Sequence, residues 1–196
     1  MNKLYTYIYT FFTQQIVGWY IIITLMYCMT FLFPTIVYDP LLEYNRLQPY
    51  YSWLTTDIVY CIYNELSLYN TDITIDEICA IIQLESGSAT HNDINKMKYA
   101  VSSAGAIGLM QVMPFHHKGN KTDLYNEFIN IHYGIKYYVW CVQYTQGNRK
   151  EALRCYNAGP FSKTQYKGYK TYVAKILSHV YTTKLLYFNN PIYTIR

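Results

Sequence analysis

Residues 74–87 read Thr-Ile-Asp-Glu-Ile-Cys-Ala-Ile-Ile-Gln-Leu-Glu-Ser-Gly, and the fold turns on how that stretch is read. Thr74-Ile75-Asp76-Glu77 has the form of a capping box, with Thr74 as N-cap and Glu77 reaching back from the third helical position. Ile78, Ile81, Ile82 and Glu85 follow at spacings of three and four. The spacing therefore predicts a helix with Glu85 on its core-facing stripe. Gly87 is placed to close the helix just past its C-cap. A carboxyl among isoleucines loses hydration, which penalises its charged form and raises its pKa. That is the condition of a general acid working near neutral pH. The plainer alternative is a helix-end glutamate turned to solvent.

Outward from this helix the pattern stays helical. Leu54, Ile58, Cys61, Ile62 and Leu66 recur at helical spacing, and the amphipathic helix they predict ends near Asn70. Ser88 to Ser103 is polar and irregular, fit for a loop or small hairpin. Ala104 to Met113 reads as a short helix punctuated by glycine and stopped by Pro114. Tyr125 to Gln146 is a long helical pattern closed by Gly147. Asn148 then caps a helix with Glu151 at its third position, and Gly159-Pro160 ends it. Tyr169 to Phe188 is the last helix. The expected fold class is mostly α, with little or no β.

The N-terminal end differs. Leu4 to Tyr38 holds no charged residue. Ile16 to Phe33 is almost wholly apolar, long enough to span a bilayer and too long for a signal-peptide core, with no small-residue cleavage site before Asp39. The expected organisation is a membrane anchor over 1–38, a linker over 39–51 that holds Pro40 and Pro49, and a compact helical domain over 52–190. Lys3 before the span, with Asp39, Glu43 and Arg46 after it, favours an extracytoplasmic domain.

Composition narrows the classes. Charged residues are 14% of the chain, below the usual ~25%. Its 25 tyrosines, with much Ile, Asn and Phe, suggest an AT-rich coding sequence. The net charge of +4 is not concentrated into a Lys/Arg block, so no nucleic-acid partner is expected. The five cysteines, Cys28, Cys61, Cys79, Cys141 and Cys155, form no CxxC pair, and His116-His117 lacks partners at zinc-ligand spacing. Neither a metal site, another cofactor nor a disulfide framework is expected. Cys79 and Cys155 read as small buried thiols.

Taken together, four ordered motifs carry a resemblance. They are Glu85-Ser86-Gly87; Ser102 to Pro114 (SSAGAIGLMQVMP); Asn130-Ile131 with Gly134 and Tyr137; and Ala152-Leu153 with Tyr156-Asn157-Ala158-Gly159-Pro160, followed by Tyr172-Val173. From about Thr74 to Leu177 the chain resembles the soluble lytic transglycosylase (SLT) domain, a member of the lysozyme-like superfamily related to goose-type lysozymes. The resemblance implies cleavage of the β-1,4 bond between N-acetylmuramic acid and N-acetylglucosamine in peptidoglycan. It implies Glu85 as acid and then base, closing a 1,6-anhydro ring without a second carboxylate. It further implies that Ser86, Met110, Gln111, Tyr156, Asn157 and Tyr172 shape or touch the substrate groove. From the residues alone, Met110 could equally be core, Gln111 could tie down a loop, and Ser86 could cap a helix.

The chain also departs from the family pattern. Ser88-Ala89-Thr90 stands where an aromatic and then Asn-Pro are usual, and Glu85 to Ser102 is longer by about eight residues. The acidic residue usual shortly before the last tyrosine is replaced near Gly168. Three functions therefore stand at this point: a membrane-anchored muralytic enzyme, a catalytically silent subunit of a membrane protein complex (an organellar inner membrane included), and a non-catalytic glycan binder.

Overall fold

In the computed structural model the described residues are 15–24, 38–87, 92–162 and 169–189. The chain divides into two compact units, Met1–Tyr38 and Asp39–Arg196. In the first, residues 15–24 are helical and expose their large apolar side chains, Trp19 and Tyr20 among them. Among the described residues no helix is long and apolar enough to cross a membrane. The anchor expected over 16–33 falls partly on residues 25–33, which lie outside the described set.

The second unit is helical. Its helices are α1 (Pro40–Leu47), α2 (Thr56–Ser67), α3 (Ile75–Glu85), the single turn α4 (Ile94–Met97), α5 (Glu127–Tyr144), α6 (Arg149–Ala158) and α7 (Tyr169–Asn189). Two 3-10 turns, Pro114–His116 and Lys121–Tyr125, lie between α4 and α5. Among the described residues the only β pairing is two isolated bridges, Val101 with Ile107 and Ile107 with Val112.

Helix α3 runs through the middle. From Ile75 to Ile82 every residue is buried, the pattern of a helix enclosed on all sides. It packs against α2 and α7, while α5 packs against α2 and α6. Ile58 and Ile62 of α2, Ile131, Ile135 and Tyr138 of α5, Leu153 of α6 and Ile176 of α7 complete the core. The Thr74 hydroxyl accepts from the Glu77 N–H as expected. The Glu77 carboxylate, however, is engaged by the Tyr138 hydroxyl and, at 3.2 Å, by Arg149 Nε.

The segment 39–51 is not a linker. Asp39 caps α1 and Pro40 occupies its first turn, where proline's missing N–H costs nothing. Leu47 and Tyr51 are fully buried. Arg46 grips Asp76 in a two-pronged pair at 2.7 and 2.6 Å and also meets Glu43. Two prolines suggested a connector, but one begins a helix and the other lies in the turn after it.

Residues 104–113 are not a helix either. Gly105, Gly108 and Gln111 all have positive φ, at 86°, 77° and 48°, and a left-handed residue every third position forbids helical propagation. The segment instead makes a tight double turn closed by the Ile107–Val112 bridge. A Cβ on Gly108 would lie 2.3 Å from Asn130 Nδ2 and 2.8 Å from the Leu124 carbonyl, so both its torsion and its crowding require glycine.

The cysteine expectation also needs correction. Cys141 of α5 and Cys155 of α6 form a disulfide, with Cα atoms 5.8 Å apart. The apolar helical setting of Cys155 reads in the sequence as that of a small buried thiol. The close packing of α5 on α6 brings the two together. Cys79 is a free, buried thiol, and Cys61 is free and part-buried.

Candidate functional site

Three carboxylates on α3 show what environment does to one functional group. Asp76 and Glu77 sit in the first turn, where the helix dipole favours negative charge. Each also has an arginine partner, Arg46 and Arg149 respectively. Glu85 lies at the opposite, electronegative end of the same helix. Among the described residues its charged form gains no cation. Burial pushes its carboxyl up to about 7, against the pull of a hydrogen bond from Tyr172, which favours ionisation. Tyr172 donates from its hydroxyl to Glu85 Oε1 at 2.7 Å. The phenol itself is held well above its ordinary range, first by burial and then by the nearby carboxylate, so it remains a donor.

Glu85 opens onto a cleft of about 380 Å3. One wall is the double turn, with Ser102, Ala104, Ala106, Gln111 and Val112. The opposite wall comes from the end of α6, with Tyr156, Asn157 and Gly159. An aromatic side is formed by Phe115, His116, Tyr133 and Tyr137. Ring centroids run 4.3 Å from Phe115 to His116 and 4.5 Å from His116 to Tyr137. Burial lowers the His116 pKa, which keeps its imidazole neutral at neutral pH. Among the described residues lining this cleft, Glu85 is the one carboxylate.

The double turn is held in place by buried side chains. Asn130 of α5 is fully buried and makes three hydrogen bonds. Its Oδ1 accepts from the Met110 N–H at 2.8 Å, and its Nδ2 donates to the carbonyls of Ile107 and Leu124 at 2.8 and 2.9 Å. Ser86 is buried and donates to the Leu109 carbonyl at 2.8 Å, tying the end of α3 to the same turn. Tyr156 donates to the Met110 carbonyl at 2.6 Å. On the far side, Arg154 Nη1 donates to the Ser162 carbonyl at 2.6 Å and fixes the chain that leaves α6.

These positions answer the alternatives left open by the sequence. Glu85, Gln111, Tyr156 and Asn157 line the cleft, and Tyr172 touches Glu85. Gln111 does both jobs considered for it: it borders the cleft, and its amide donates to the Gly108 carbonyl at 2.9 Å. Met110 and Ser86 do not line the cleft. The Met110 side chain is fully buried, lying where a Cβ on Gly134 would be, 2.4 Å from its sulfur. Both residues support the wall from beneath. Phe115, His116 and Tyr133 were not singled out as site residues from the sequence. In the sequence Asn130 and Tyr137 stand out only as letters of a motif; their spacing on α5, with Gly134 between them, is the available signal. The described part of the expected insertion forms α4 and the turn to Tyr99, whose ring meets Tyr125 at 5.5 Å. None of it lines the cleft. Residues 88–90 and 163–168, where two departures from the family pattern fall, lie outside the described set. Among the described residues no cluster of three His, Cys, Asp or Glu side chains is disposed to hold a metal ion.

A family model, the transglycosylase SLT domain, matches residues 67–178. This chain belongs to the transglycosylase SLT domain family. The matched region of this SLT chain runs from the end of α2 into α7 and includes the whole cleft. Among solved structures, an inactive mutant of lytic transglycosylase Slt from Pseudomonas aeruginosa is similar, with a TM-score of 0.53 and 24% identity. The match covers 71% of the SLT chain described here and 25% of the Pseudomonas chain, so this protein spans about a quarter of that relative's length. That likeness is one of fold.

Proposed function

We propose that this protein is a lytic transglycosylase-type enzyme that cleaves the β-1,4 bond between N-acetylmuramic acid and N-acetylglucosamine in peptidoglycan, with Glu85 as its single catalytic carboxyl. The observation that carries the reading is Glu85 itself: a carboxyl held near 7 by burial, beside an open cleft with no second Asp or Glu among its described lining residues.

Near neutral pH a substantial share of the molecules carry a proton on Glu85. Tyr172 occupies Oε1, leaving the other oxygen to hold that proton. Glu85 donates it to the glycosidic oxygen as the C–O bond breaks, and the leaving sugar departs as an alcohol. The neighbouring acetamido group of the substrate supports the positive charge that develops on the sugar. Glu85, now ionised, accepts the proton of the same sugar's 6-hydroxyl as that oxygen closes on the anomeric carbon. The product is a 1,6-anhydro ring, water is not consumed, and Glu85 ends protonated as it began. Two-carboxylate hydrolysis needs a second acid across the bond, and none of the described lining residues supplies one.

The same reading makes residues 16–33 the anchor and puts the domain on the extracytoplasmic face. The exposed apolar side chains of the helical segment at 15–24 support the first part. The Cys141–Cys155 disulfide supports the second, since such bonds persist in oxidising compartments.

The test is digestion of purified peptidoglycan by the full chain in mild detergent, with products identified by mass. Anhydro-muropeptides, lighter by one water than hydrolysed ones, are expected from the wild type and not from Glu85→Gln. Hydrolysed ends alone would refute the mechanism. No product from folded protein would favour a silent subunit of a membrane complex.

A further inference from the structure

Helix α1 turns its charges inward and its leucines outward. Leu47 is fully buried, and Arg46 on the same side is paired with Asp76 and Glu43. Leu41, Leu42, Asn45 and the C-cap Gln48 make up the opposite, exposed face. Leu41 is 55% exposed and Leu42 57% exposed. Pro49 and Tyr50 extend this exposed surface into the turn that follows. A helix facing water ordinarily puts charged and polar residues there. Here Glu43 and Arg46 are tied to each other and to Asp76, while Asp39 accepts from the Leu41 N–H at 2.9 Å.

The length of chain before α1 says what this face meets. The apolar run at 16–33 ends at Phe33, and only residues 34–38 separate it from Asp39. Fully extended, the chain from Phe33 to Asp39 reaches at most about 21 Å. The interfacial layer of a bilayer extends about 5–8 Å beyond the hydrocarbon on each side. With 16–33 in the hydrocarbon, α1 therefore begins in or close to the headgroup layer, whatever path 34–38 takes. A face with two leucines, uncharged amides and a tyrosine suits that layer. The aliphatic side chains enter the acyl boundary, and the phenol sits at headgroup level.

We propose that α1 docks on the bilayer surface, with Leu41 and Leu42 seated at the boundary between headgroups and acyl chains. The domain is then held at the membrane by this contact as well as by its tether. The inference rests on the reading of residues 16–33 as an anchor. Reach selects the occupant, because the anchor's own bilayer is the surface that α1 cannot leave. The contact is apolar and carries no free charge, so neutral lipid suffices for it.

The test places the full chain in phosphatidylcholine vesicles with an environment-sensitive fluorophore on Leu42→Cys, in a Cys28→Ser/Cys61→Ser background. A second preparation carries the label on Ile22→Cys, within the anchor. The Leu42→Cys label is expected to emit to the blue of its position in water. It should be quenched more by lipid carrying a nitroxide near the top of the acyl chain than by lipid carrying one at the chain end. Leu41→Asp should return that emission toward its value in water. Leu41→Cys takes the label should Leu42→Cys fail to fold. Quenching at Ile22→Cys but not at Leu42→Cys would overturn the docking and leave the anchor standing. A blue-shifted but unquenched Leu42→Cys label would overturn it too, placing protein, such as a second copy, over this face. Quenching that persists unchanged in Leu41→Asp would show that the tether alone holds α1 there, which refutes the contact. Quenching at neither position would bring down the anchor and the docking with it.

Discussion

Replacing Asn130 with Ala removes a side chain that touches no part of the cleft, yet the cleft should suffer. The amide makes three buried hydrogen bonds, to the Met110 N–H and to the Ile107 and Leu124 carbonyls. Its loss strands the Met110 N–H and the Leu124 carbonyl in a buried site, while the Ile107 carbonyl keeps its bond from the Val112 N–H. Each stranded group costs about 1–3 kcal/mol, and a water entering the vacated space offsets part of this, leaving a net loss of about 2–4 kcal/mol. Urea unfolding followed by circular dichroism measures it directly. Asn130→Asp sharpens the test, because an aspartate still accepts from Met110 but sets an oxygen against two carbonyls, so it should be no more stable than the alanine variant. The double turn carries Gln111, whose backbone φ of 48° is maintained by its surroundings. Activity should therefore fall further than the unfolded fraction explains. A stability loss below about 1 kcal/mol in Asn130→Ala, or an aspartate variant as stable as wild type, would refute the account of what shapes this wall.

Tyr172→Phe removes the hydrogen bond that favours ionised Glu85, so the alkaline limb of the kcat/KM profile should move to higher pH even as the rate falls; an unmoved or acid-shifted limb contradicts this. Folded Glu85 keeps its proton to about 7 against an ordinary value of 4.5. Between those values the folded state binds more protons, so stability should decline as pH rises through the interval. Glu85→Gln should abolish that decline and exceed wild-type stability at alkaline pH by at most about 3 kcal/mol, as read by denaturant midpoints across pH. The Cys141–Cys155 bridge closes a short loop, with a sequence separation of 14, so a Cys141→Ser/Cys155→Ser double variant should lose about 3 kcal/mol. A reductant should lower the melting temperature of wild type and leave the variant unmoved; equal response of both would contradict the pairing.

Helices α2, α3, α5, α6 and α7 were legible in the sequence because each has an apolar stripe at helical spacing, and α3, α5 and α6 also carry a cap or a closing glycine. Glu85 was legible for the same reason: its place on the isoleucine stripe of α3 fixed its burial, and burial fixed its proton. What could not be read was decided by tertiary contact. Nothing local in residues 39–51 states that Arg46 will find Asp76, thirty positions on. Ala104 to Met113 has helix-tolerant residues between its glycines, and only the buried amide of Asn130 shows why the chain turns instead. Met110 looks alike as groove or core until Gly134 is seen to admit it. Cys141 and Cys155 become partners through the packing of α5 on α6, a fact absent from their spacing. The aromatic side of the cleft was hidden in a chain so rich in tyrosine that no single one stood out.

The account depends most on the protonation of Glu85, and titration of its side-chain carboxyl by carbon NMR, using labelled glutamate with Glu85→Gln to assign the signal, measures that directly. The structure predicts a midpoint at about 7, moving upward in Tyr172→Phe. A midpoint near the ordinary 4.5 would mean an ionised, solvated carboxylate at neutral pH and would contradict Glu85 as the acid.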